Sequence, residues 1–501
     1  YDSEEIEKTL TTLSQLDFVS LDYNTLKSYT ILDANGKPAE DTHWKVLAKK
    51  LSREQKEQIE SYKLKGIVFG ADTKRSYPLG TVAADVIGFI RGDSSWGLES
   101  EYNTELSGVN GREFKTYDGS SSAVIQTIDA QDGSTVVTTL DYTIQQYAEQ
   151  AVQKAIADYN PQHAAVLVMN PNTGEVYAMA DSPTFDANNP SDPTKVNTTE
   201  SFASQWSEMS DEEQFNYLYD SWTNFNISHT FEPGSIFKPM VVAAALDEGI
   251  ISETDTFYCG GMKTVYDRDI SCWQKSGHGT ETVEDVLANS CNVAMMDIGQ
   301  KMGVHLFYKY HLMQPYVVSK VIDSNGNVTY EKSPTVIRKV ISKETSDTVR
   351  KYLQAVIDTG TGNKAKIEGY AIGGKTGTAQ QAIRSNEEYT VTFVGFLPVD
   401  NPQIIAIAII DKPSIYTEGS ASAAPMLKGL LENIIKYLGI EKTEAVTSSK
   451  AAEENTVVLD DLTMYTTNEA ISYLINHNLN YQVVGEGSQV TSSAPHTGTE
   501  V

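Results

Sequence analysis

The sequence predicts a multidomain α/β protein whose main domain is an antiparallel sheet flanked by helices. Its 501 residues are too many for one ordinary domain. A hydrophobic fraction of 40% is ample for buried cores. From about residue 136 to residue 440, strand-like pairs alternate with helix-like stretches. These three observations favour a sheet with helices packed on it over an all-helical or disordered chain.

Charge excludes some classes of partner. The formal net charge is −28 and the pI is about 4.6, which argues against nucleic acid and against an anionic membrane face. A solvated acidic exterior is the simplest interpretation of that charge. The sequence has no apolar run of about 18 residues and no signal peptide pattern, so we expect no segment of it to span a bilayer.

The pattern of residues 1–135 predicts a separate, non-catalytic region of mixed secondary structure. Ser52 has the position of a helix cap before a polar helix that ends near Tyr62. The glycines and prolines that follow, such as Pro78 and Gly80, are typical of turns. We assign no chemistry to this region.

Residues 136–440 predict the main domain. Asp141 can cap a helix whose apolar stripe runs from Ile144 to Ile156. Two strand pairs follow, at 164–169 with 176–180 and at 389–399 with 403–410, and a closing helix is expected at 426–438.

A serine and a lysine lie three residues apart before an apolar run. Ser235 and Lys238 precede Val241–Leu246, which is apolar almost all round and therefore predicts a buried helix that stops near Gly249. Both side chains then share one face at the helix N-terminus. A serine nucleophile needs a nearby base, and a lysine serves only if its pKa is lowered. Taken alone, the pattern favours an ordinary helix start over a catalytic pair, because a serine three residues before a lysine recurs by chance in a chain of this length.

Two further motifs decide between these interpretations. Ser290-Cys291-Asn292 lies between two helix-like runs, and 375–378 (K-T-G-T) precedes a strand. The order S-x-x-K, S-D-N, K-T-G is the signature of penicillin-binding proteins and class A β-lactamases, with S-C-N in the middle here. The chain therefore resembles a class B penicillin-binding protein, a peptidoglycan D,D-transpeptidase. We expect Cys291 to be a small buried core residue.

The resemblance implies the penicillin-binding transpeptidase fold over 136–440, with Ser235 on a central helix and the K-T-G segment on an edge-facing strand. It also implies an N-terminal pedestal at 1–135 and roles for matching residues. Ser235 would attack the carbonyl of the penultimate D-Ala of a stem peptide, and Lys238 would accept its proton. Ser290 would relay a proton to the leaving amine, and Asn292 would orient the substrate amide.

The third motif is implied to bind substrate. Lys375 would hold Lys238 neutral and attract the substrate carboxylate beside Thr376 and Thr378. Gly377 would let the substrate lie close to the backbone. The backbone N–H groups of Ser235 and Thr378 would form the oxyanion hole. This serine chemistry requires no cofactor.

The cysteines leave a disulfide and a metal site open on equal terms, with free thiols as the third alternative. Cys259 and Cys272 frame a loop, and His278 follows six residues later. An extracellular setting permits a Cys259–Cys272 disulfide. Alternatively, Cys259, Cys272 and His278 could hold a structural zinc, with Asp255 or Asp269 as the fourth ligand.

The end of the chain predicts a linker at 441–455 and a small β-α-β-β unit at 456–501. Its helix, 470–476, follows a capping-box pattern at 466–469, and its next strand is expected at 481–484. The unit resembles one PASTA repeat, which implies a Gram-positive-type envelope. Muropeptide binding and a purely structural role remain equally open for it.

The resemblance also implies a setting. We expect an enzyme on the extracytoplasmic face of the membrane whose N-terminal anchor is absent from this sequence, with a membrane glycosyltransferase as partner and β-lactams as acylating ligands. Near Phe18 and near Tyr310, the chain is shorter than the family pattern requires. This predicts that further residues are missing from the sequence at both points. The alternatives are a D,D-carboxypeptidase or β-lactamase-like hydrolase and a catalytically idle scaffold or sensor. Division, elongation and sporulation roles are not distinguished.

Overall fold

The structure is a computed structural model. It describes residues 3–29, 45–70, 74–92, 94–117, 123–197, 199–265, 267–307, 315–335, 340–381, 388–415, 417–443, 459, 461–476 and 489–492. The chain divides into two compact units, Tyr1–Tyr77 and Pro78–Val501.

The first unit is a small helical assembly of α1 (Ser3–Ser14), α2 (Tyr23–Ser28) and α3 (Arg53–Ser61). Its core is aliphatic and includes Leu13 and Leu26. Ser52 caps α3 through a complete capping box with Gln55, because each residue's side chain accepts a hydrogen bond from the other's backbone N–H. The capped polar helix predicted at this point is confirmed.

The second unit contains the remaining elements. Its helices are α4 (Ala84–Ile87), α5 (Gly97–Glu101), α6 (Asn103–Leu106), α7 (Tyr142–Tyr159), α8 (Glu200–Glu208), α9 (Asp211–Trp222), α10 (Phe225–Ser228), α11 (Lys238–Asp247), α12 (Val283–Ala288), α13 (Asn292–Phe307, kinked at Gly303), α14 (Lys343–Asp358), α15 (Ala423–Leu438) and α16 (Thr467–Asn476). Its strands are β1 (Ile90–Arg91), β2 (Ser94–Ser95), β3 (Arg112–Tyr117), β4 (Ala123–Ile128), β5 (Thr135–Thr138), β6 (Pro161–Met169), β7 (Val176–Ser182), β8 (Thr256–Cys259), β9 (Met262–Val265), β10 (Arg268–Ser271), β11 (Gly279–Thr282), β12 (Val318–Ile322), β13 (Val328–Glu331), β14 (Gly373–Gln380), β15 (Tyr389–Leu397) and β16 (Ile404–Pro413).

The main sheet has five strands in the order β14-β15-β16-β6-β7, and every neighbouring pair is antiparallel. Both predicted strand pairs are present in it. The K-T-G motif lies on β14 at one edge, as the resemblance implied. The predicted antiparallel sheet flanked by helices is confirmed.

The two faces of the sheet follow the period-2 alternation of strand side chains. Val166 and Ala408 lie in the larger core beneath α7 and α15, whereas Ala165 and Ile409 pack with Phe225 of α10 on the opposite face. Asp141 caps α7 by accepting a hydrogen bond from the Ile144 N–H group, 2.9 Å away.

A second core is built from α11, α12, α13 and α14. Helix α11 carries five consecutive buried residues, from Val241 to Ala245, as its all-round apolar pattern predicts. Gly249 follows it with φ of 65°, and its N–H group donates to Leu246. This buried helix fixes the position of Lys238, its first residue.

The small unit at the C-terminus is described in part. Thr466 and Glu469 form the expected capping box of α16, and the aliphatic core around it includes Leu462 and Ala470. The strand expected at 481–484 lies outside the described residues, as do Tyr310 and its neighbours. Among the described residues, none of the helices combines the length and apolar character needed to cross a membrane.

Candidate active site

Ser235 lies in a single 3-10 turn, Gly234–Phe237, that leads directly into α11. Gly234 has φ of +56°, and a Cβ atom placed there would lie 3.2 Å from the Ala379 side chain of β14. A glycine at this point therefore allows the turn to approach the K-T-G strand. Within the described part of the chain, the half-buried Ser235 hydroxyl makes no hydrogen bond.

Lys238 contacts the second motif instead of Ser235. Its Nζ atom donates hydrogen bonds to the Ser290 carbonyl oxygen at 2.6 Å, to Asn292 Oδ1 at 2.7 Å and to Ser290 Oγ at 3.2 Å. Ser290 has φ of 53° and is buried between α12 and α13. The left-handed turn presents its carbonyl and hydroxyl oxygens to the same ammonium group.

Lys375 approaches Ser290 from the edge strand. Its side chain is only 2% exposed, and Nζ donates to Ser290 Oγ at 2.9 Å and to the Thr376 carbonyl oxygen at 3.2 Å. The Thr376 and Thr361 hydroxyl oxygens are 3.1 Å apart. Lys238 of the first motif and Lys375 of the third motif thus both donate to the hydroxyl group of Ser290, which belongs to the second motif.

Burial sets the protonation of the two lysines. It lowers the pKa of Lys238 to about 8, and the nearby Cys272, Cys291 and Glu281 side chains act in the opposite direction. Burial also lowers the pKa of Lys375 well below its ordinary value, and the neighbouring Lys238 lowers it further. Two ammonium groups on one hydroxyl repel each other, so this site favours one protonated and one neutral lysine.

Gly377 is required by the fold itself. A Cβ atom at this position would lie 2.2 Å from Thr392 Oγ1 and 3.0 Å from the Pro233 carbonyl oxygen. Its missing side chain therefore lets β14 pack against β15 and the segment that precedes Ser235, a reason that the sequence interpretation did not include. Thr378 Oγ1 accepts a hydrogen bond from the Gly419 N–H group at 3.1 Å.

The cysteine-rich loop places four candidate ligands together. The sulfurs of Cys259, Cys272 and Cys291 and a ring nitrogen of His278 all lie within 4.8 Å of one another. All three cysteines are buried free thiols, so the structure contains no Cys259–Cys272 disulfide. Cys291 is buried as expected, but it also belongs to this cluster, which the sequence interpretation missed.

The aspartates considered as fourth ligands lie elsewhere. Asp255 accepts a hydrogen bond from Ser252 at 2.8 Å, and Asp269 accepts one from Thr264 at 2.6 Å. Neither belongs to the cluster. The expectation of an aspartate ligand was therefore wrong, because the turn after α12 brings the thiol of Cys291 to the loop. The available signal was that all three cysteines of the chain fall within a short stretch.

The surroundings of the cluster suit a histidine ligand. The buried His278 Nε2 atom has no hydrogen-bond partner in the described structure, and Nδ1 lies 3.7 Å from Cys272 Sγ. The Glu281 carboxylate, 2% exposed, lies 3.8 Å from Nδ1. The Asn292 N–H group donates to Cys272 Sγ at 3.4 Å, which joins the loop to the second motif.

Comparison with known families agrees with this geometry. Residues 164–312 and 311–432 match the penicillin-binding protein transpeptidase domain, which is more than half of the chain. The chain belongs to the penicillin-binding protein family. Residues 2–138 match the penicillin-binding protein dimerisation domain, and the two domains together characterise the class B members.

Similar proteins extend along most of the chain. Stage V sporulation protein D of Bacillus subtilis is 27% identical, with 90% of this chain and 78% of that protein covered. The peptidoglycan D,D-transpeptidase FtsI homolog of Mesostigma viride is 24% identical, with 76% and 75% covered.

Solved structures are similar as well. Penicillin-binding protein 3 of Mycobacterium tuberculosis, complexed with aztreonam, has a TM-score of 0.60 and 25% identity, over 74% of this chain and 92% of that chain. A peptidoglycan synthetase from Bifidobacterium adolescentis has a TM-score of 0.63 over 88% of this chain and 86% of that chain; at 19% identity it supports the fold alone.

Proposed function

We propose that this protein is a peptidoglycan D,D-transpeptidase that cross-links stem peptides through a Ser235 acyl-enzyme and is also acylated by β-lactams. The observation that carries the proposal is the meeting of Lys238 and Lys375 at the Ser290 hydroxyl, at 3.2 and 2.9 Å. Three segments that are distant in sequence thus supply two lysines and a serine within hydrogen-bond distance. Such groups can take a proton from a nearby serine nucleophile and pass it on.

In the first step, the Ser235 oxygen attacks the carbonyl carbon of the penultimate D-Ala while neutral Lys238 takes the hydroxyl proton. The C–N bond to the terminal D-Ala then breaks, and the leaving amine receives a proton through Ser290. In the second step, an amine of another stem peptide attacks the ester carbonyl and gives one proton to neutral Lys238. The C–O bond to Ser235 then breaks, the amide cross-link forms, and Lys238 returns the proton to the Ser235 oxygen. Atoms and protons balance without a cofactor.

The substrate itself can select the neutral lysine. A carboxylate bound beside Lys375 and Thr376 stabilises the ammonium form of Lys375. Because the two lysines share one hydroxyl, a charged Lys375 disfavours a second charge on Lys238. Substrate binding would thus place the base in its active form. The backbone N–H groups of Ser235 and Thr378 would stabilise the oxyanion, a contribution of about 3 kcal/mol per donor in measured enzymes.

Labelling with a fluorescent penicillin tests the proposal. We expect a stable adduct on Ser235, located by peptide mass mapping and lost in Ser235→Ala. Rapid loss of the label with hydrolysed penicillin would instead favour a β-lactamase-like hydrolase. An intact site that takes no label would favour an idle scaffold. Supplying a D-amino acid acceptor separates transfer from the D,D-carboxypeptidase reaction, since only a transpeptidase forms the exchanged product.

We further propose that Cys259, Cys272, Cys291 and His278 hold a structural zinc ion. Three thiolates and one imidazole form a standard closed zinc site. Tetrahedral zinc with bonds of about 2.3 Å places its sulfur ligands about 3.8 Å apart, in keeping with the 4.8 Å limit of this cluster. The Glu281 carboxylate, beside the His278 ring, would orient that ring toward the ion. The ion would connect the loop that carries Cys259, Cys272 and His278 to the turn that carries Ser290 and Cys291. It would take no part in the acyl transfer.

Metal analysis tests the zinc proposal. Protein purified without added metal should contain about one zinc per chain, and Cys291→Ser should lose most of it. Replacement by Co²⁺ should give the intense near-ultraviolet absorption of cobalt thiolate bonds. Metal-free wild-type protein whose cysteines remain reduced and reactive to a thiol reagent would contradict the site.

The cellular setting remains part of the proposal. We infer an extracytoplasmic, membrane-anchored enzyme that works beside a membrane glycosyltransferase, in keeping with the class B domain pair. The C-terminal unit, with its capped helix α16, is proposed as a PASTA-like repeat of a Gram-positive envelope. Co-purification of the anchored protein with a glycosyltransferase tests the partnership.

A further inference from the structure

A cavity of about 450 Å³ opens where the K-T-G strand ends. Gln381, the residue after β14, lies on its wall, as does the segment that leads toward Ser235. The residues that matter for its chemistry are His163, Asp220, Phe225, His229, Glu232 and Asp411. None of them takes part in the acyl transfer described above.

The wall combines negative charge with aromatic rings. Asp220, Glu232 and Asp411 contribute carboxylates. Lys412, the one lysine among the described wall residues, lies 3.4 Å from Glu388, whose charge offsets its own. Beside these carboxylates, the rings of His163, Phe225 and His229 form a cluster in which each ring contacts the other two, with centroid separations of 5.0, 4.8 and 5.1 Å. His163 Nε2 lies 3.7 Å from the Asp220 carboxylate. Burial lowers the pKa of His163, which favours its neutral form. Carboxylates beside aromatic faces form a site for an ammonium group.

Asp411 supplies an unused acceptor. It is only 7% exposed, and its Oδ1 atom accepts hydrogen bonds from the Thr390 hydroxyl and from Gln381 Nε2. The other oxygen, Oδ2, has no hydrogen-bond partner among the described residues, although Asp411 lines the cavity. An ammonium group in the cavity can donate a charge-assisted hydrogen bond to this oxygen.

The substrate would pass this cavity if it binds as proposed. With its carboxylate beside Lys375 and Thr376 and its scissile carbonyl at the Thr378 N–H group, its acyl part continues along β14 toward Gln381. Three residues of strand cover roughly 10 Å. One peptide residue and an extended four-carbon side chain span a similar distance, roughly 3.5 Å plus 6 Å.

We propose that this cavity binds the side-chain ammonium group of the donor stem peptide, carried by the residue that precedes the two D-Ala residues. This inference rests on the proposed transpeptidase function. Cross-linking forms an amide between one stem peptide and an amine of another, so every stem peptide able to serve as acceptor must carry such an amine. The cavity would therefore select donors that have the same amine, unmodified.

Two matched penicillins test the cavity directly, because acylation does not depend on turnover. Their side chains are Nα-acetyl-lysyl and Nα,Nε-diacetyl-lysyl, so they differ only at the ε-nitrogen, which is an ammonium group in the first and a neutral, larger amide in the second. We expect the ammonium form to acylate the wild-type protein about ten-fold faster, as one charge-assisted hydrogen bond allows. Asp411→Asn keeps the acceptor for Thr390 and Gln381 and should remove most of the preference.

Three controls complete the design. Asp220→Asn, at a partly exposed carboxylate, should lower the preference by roughly two-fold. Glu212→Gln, on the same helix but off the cavity wall, should leave it unchanged. Benzylpenicillin should acylate Asp411→Asn at the wild-type rate, which shows that this variant is folded.

The outcomes are distinguishable. Equal acylation of Ser235 by both penicillins in the wild type, or a preference that survives Asp411→Asn, overturns the cavity assignment and leaves the enzyme function standing. If none of the penicillins labels Ser235, the proposed function fails and the cavity proposal fails with it.

Discussion

The lowered pKa of Lys238 predicts a specific pH profile for acylation. The neutral lysine is the active base, so the rate rises with pH until the group is fully deprotonated. With a pKa of about 8, the neutral fraction is roughly one tenth at pH 7, one half at pH 8 and nine tenths at pH 9. The second-order rate of acylation should therefore increase about five-fold from pH 7 to 8 and less than two-fold from pH 8 to 9.

The assay is stopped-flow or quenched labelling with a fluorescent penicillin under pseudo-first-order conditions. A lysine at its ordinary pKa of 10.5 would give a nearly ten-fold rise per unit through pH 9. That result, or a flat profile, would refute the assignment of Lys238 as the base. Lys364→Met, which removes an exposed lysine, should leave the midpoint unchanged.

Three further variants test other parts of the argument. Ser290→Ala removes the shared hydroxyl and should slow acylation by roughly 10²- to 10⁴-fold in the same labelling assay. Gly377→Ala places Cβ 2.2 Å from Thr392 Oγ1 and should lower the unfolding free energy by about 1–3 kcal/mol, whereas Gly429→Ala, with nothing within 4 Å, should raise it. Asp141→Ala removes the cap of α7 and should cost about 1 kcal/mol in denaturant unfolding. Unchanged midpoints for Gly377→Ala or Asp141→Ala would contradict these structural roles.

Local patterns predicted the elements well because they depend on neighbours in sequence. The cap of α3 at Ser52, the apolar helix after Lys238 and the strand pairs are all present. The edge position of the K-T-G strand also agrees, although it came from the resemblance.

Tertiary contacts were predicted less well. The sequence suggested that Lys238 would meet Ser235, its neighbour by helical spacing, but its hydrogen bonds go to Ser290 and Asn292. Cys291 joins two thiols that lie far away in sequence only because the turn after α12 brings it there. Spacing along a helix reports one face of that helix and carries no information about what another segment places against it.

The strand order of the main sheet constrains when the domain can fold. β6 and β7 form a local hairpin, but the other partner of β6 is β16, and all of residues 170 to 403 lie between them. Strands that are so far apart in sequence pair slowly, because the chain loses the entropy of closing a long loop before the new contacts lower the free energy. Until β16 has been synthesised, the apolar hairpin presents an unpaired edge that can join other chains. Expression of fragments that end before β16 should therefore favour aggregation over folding.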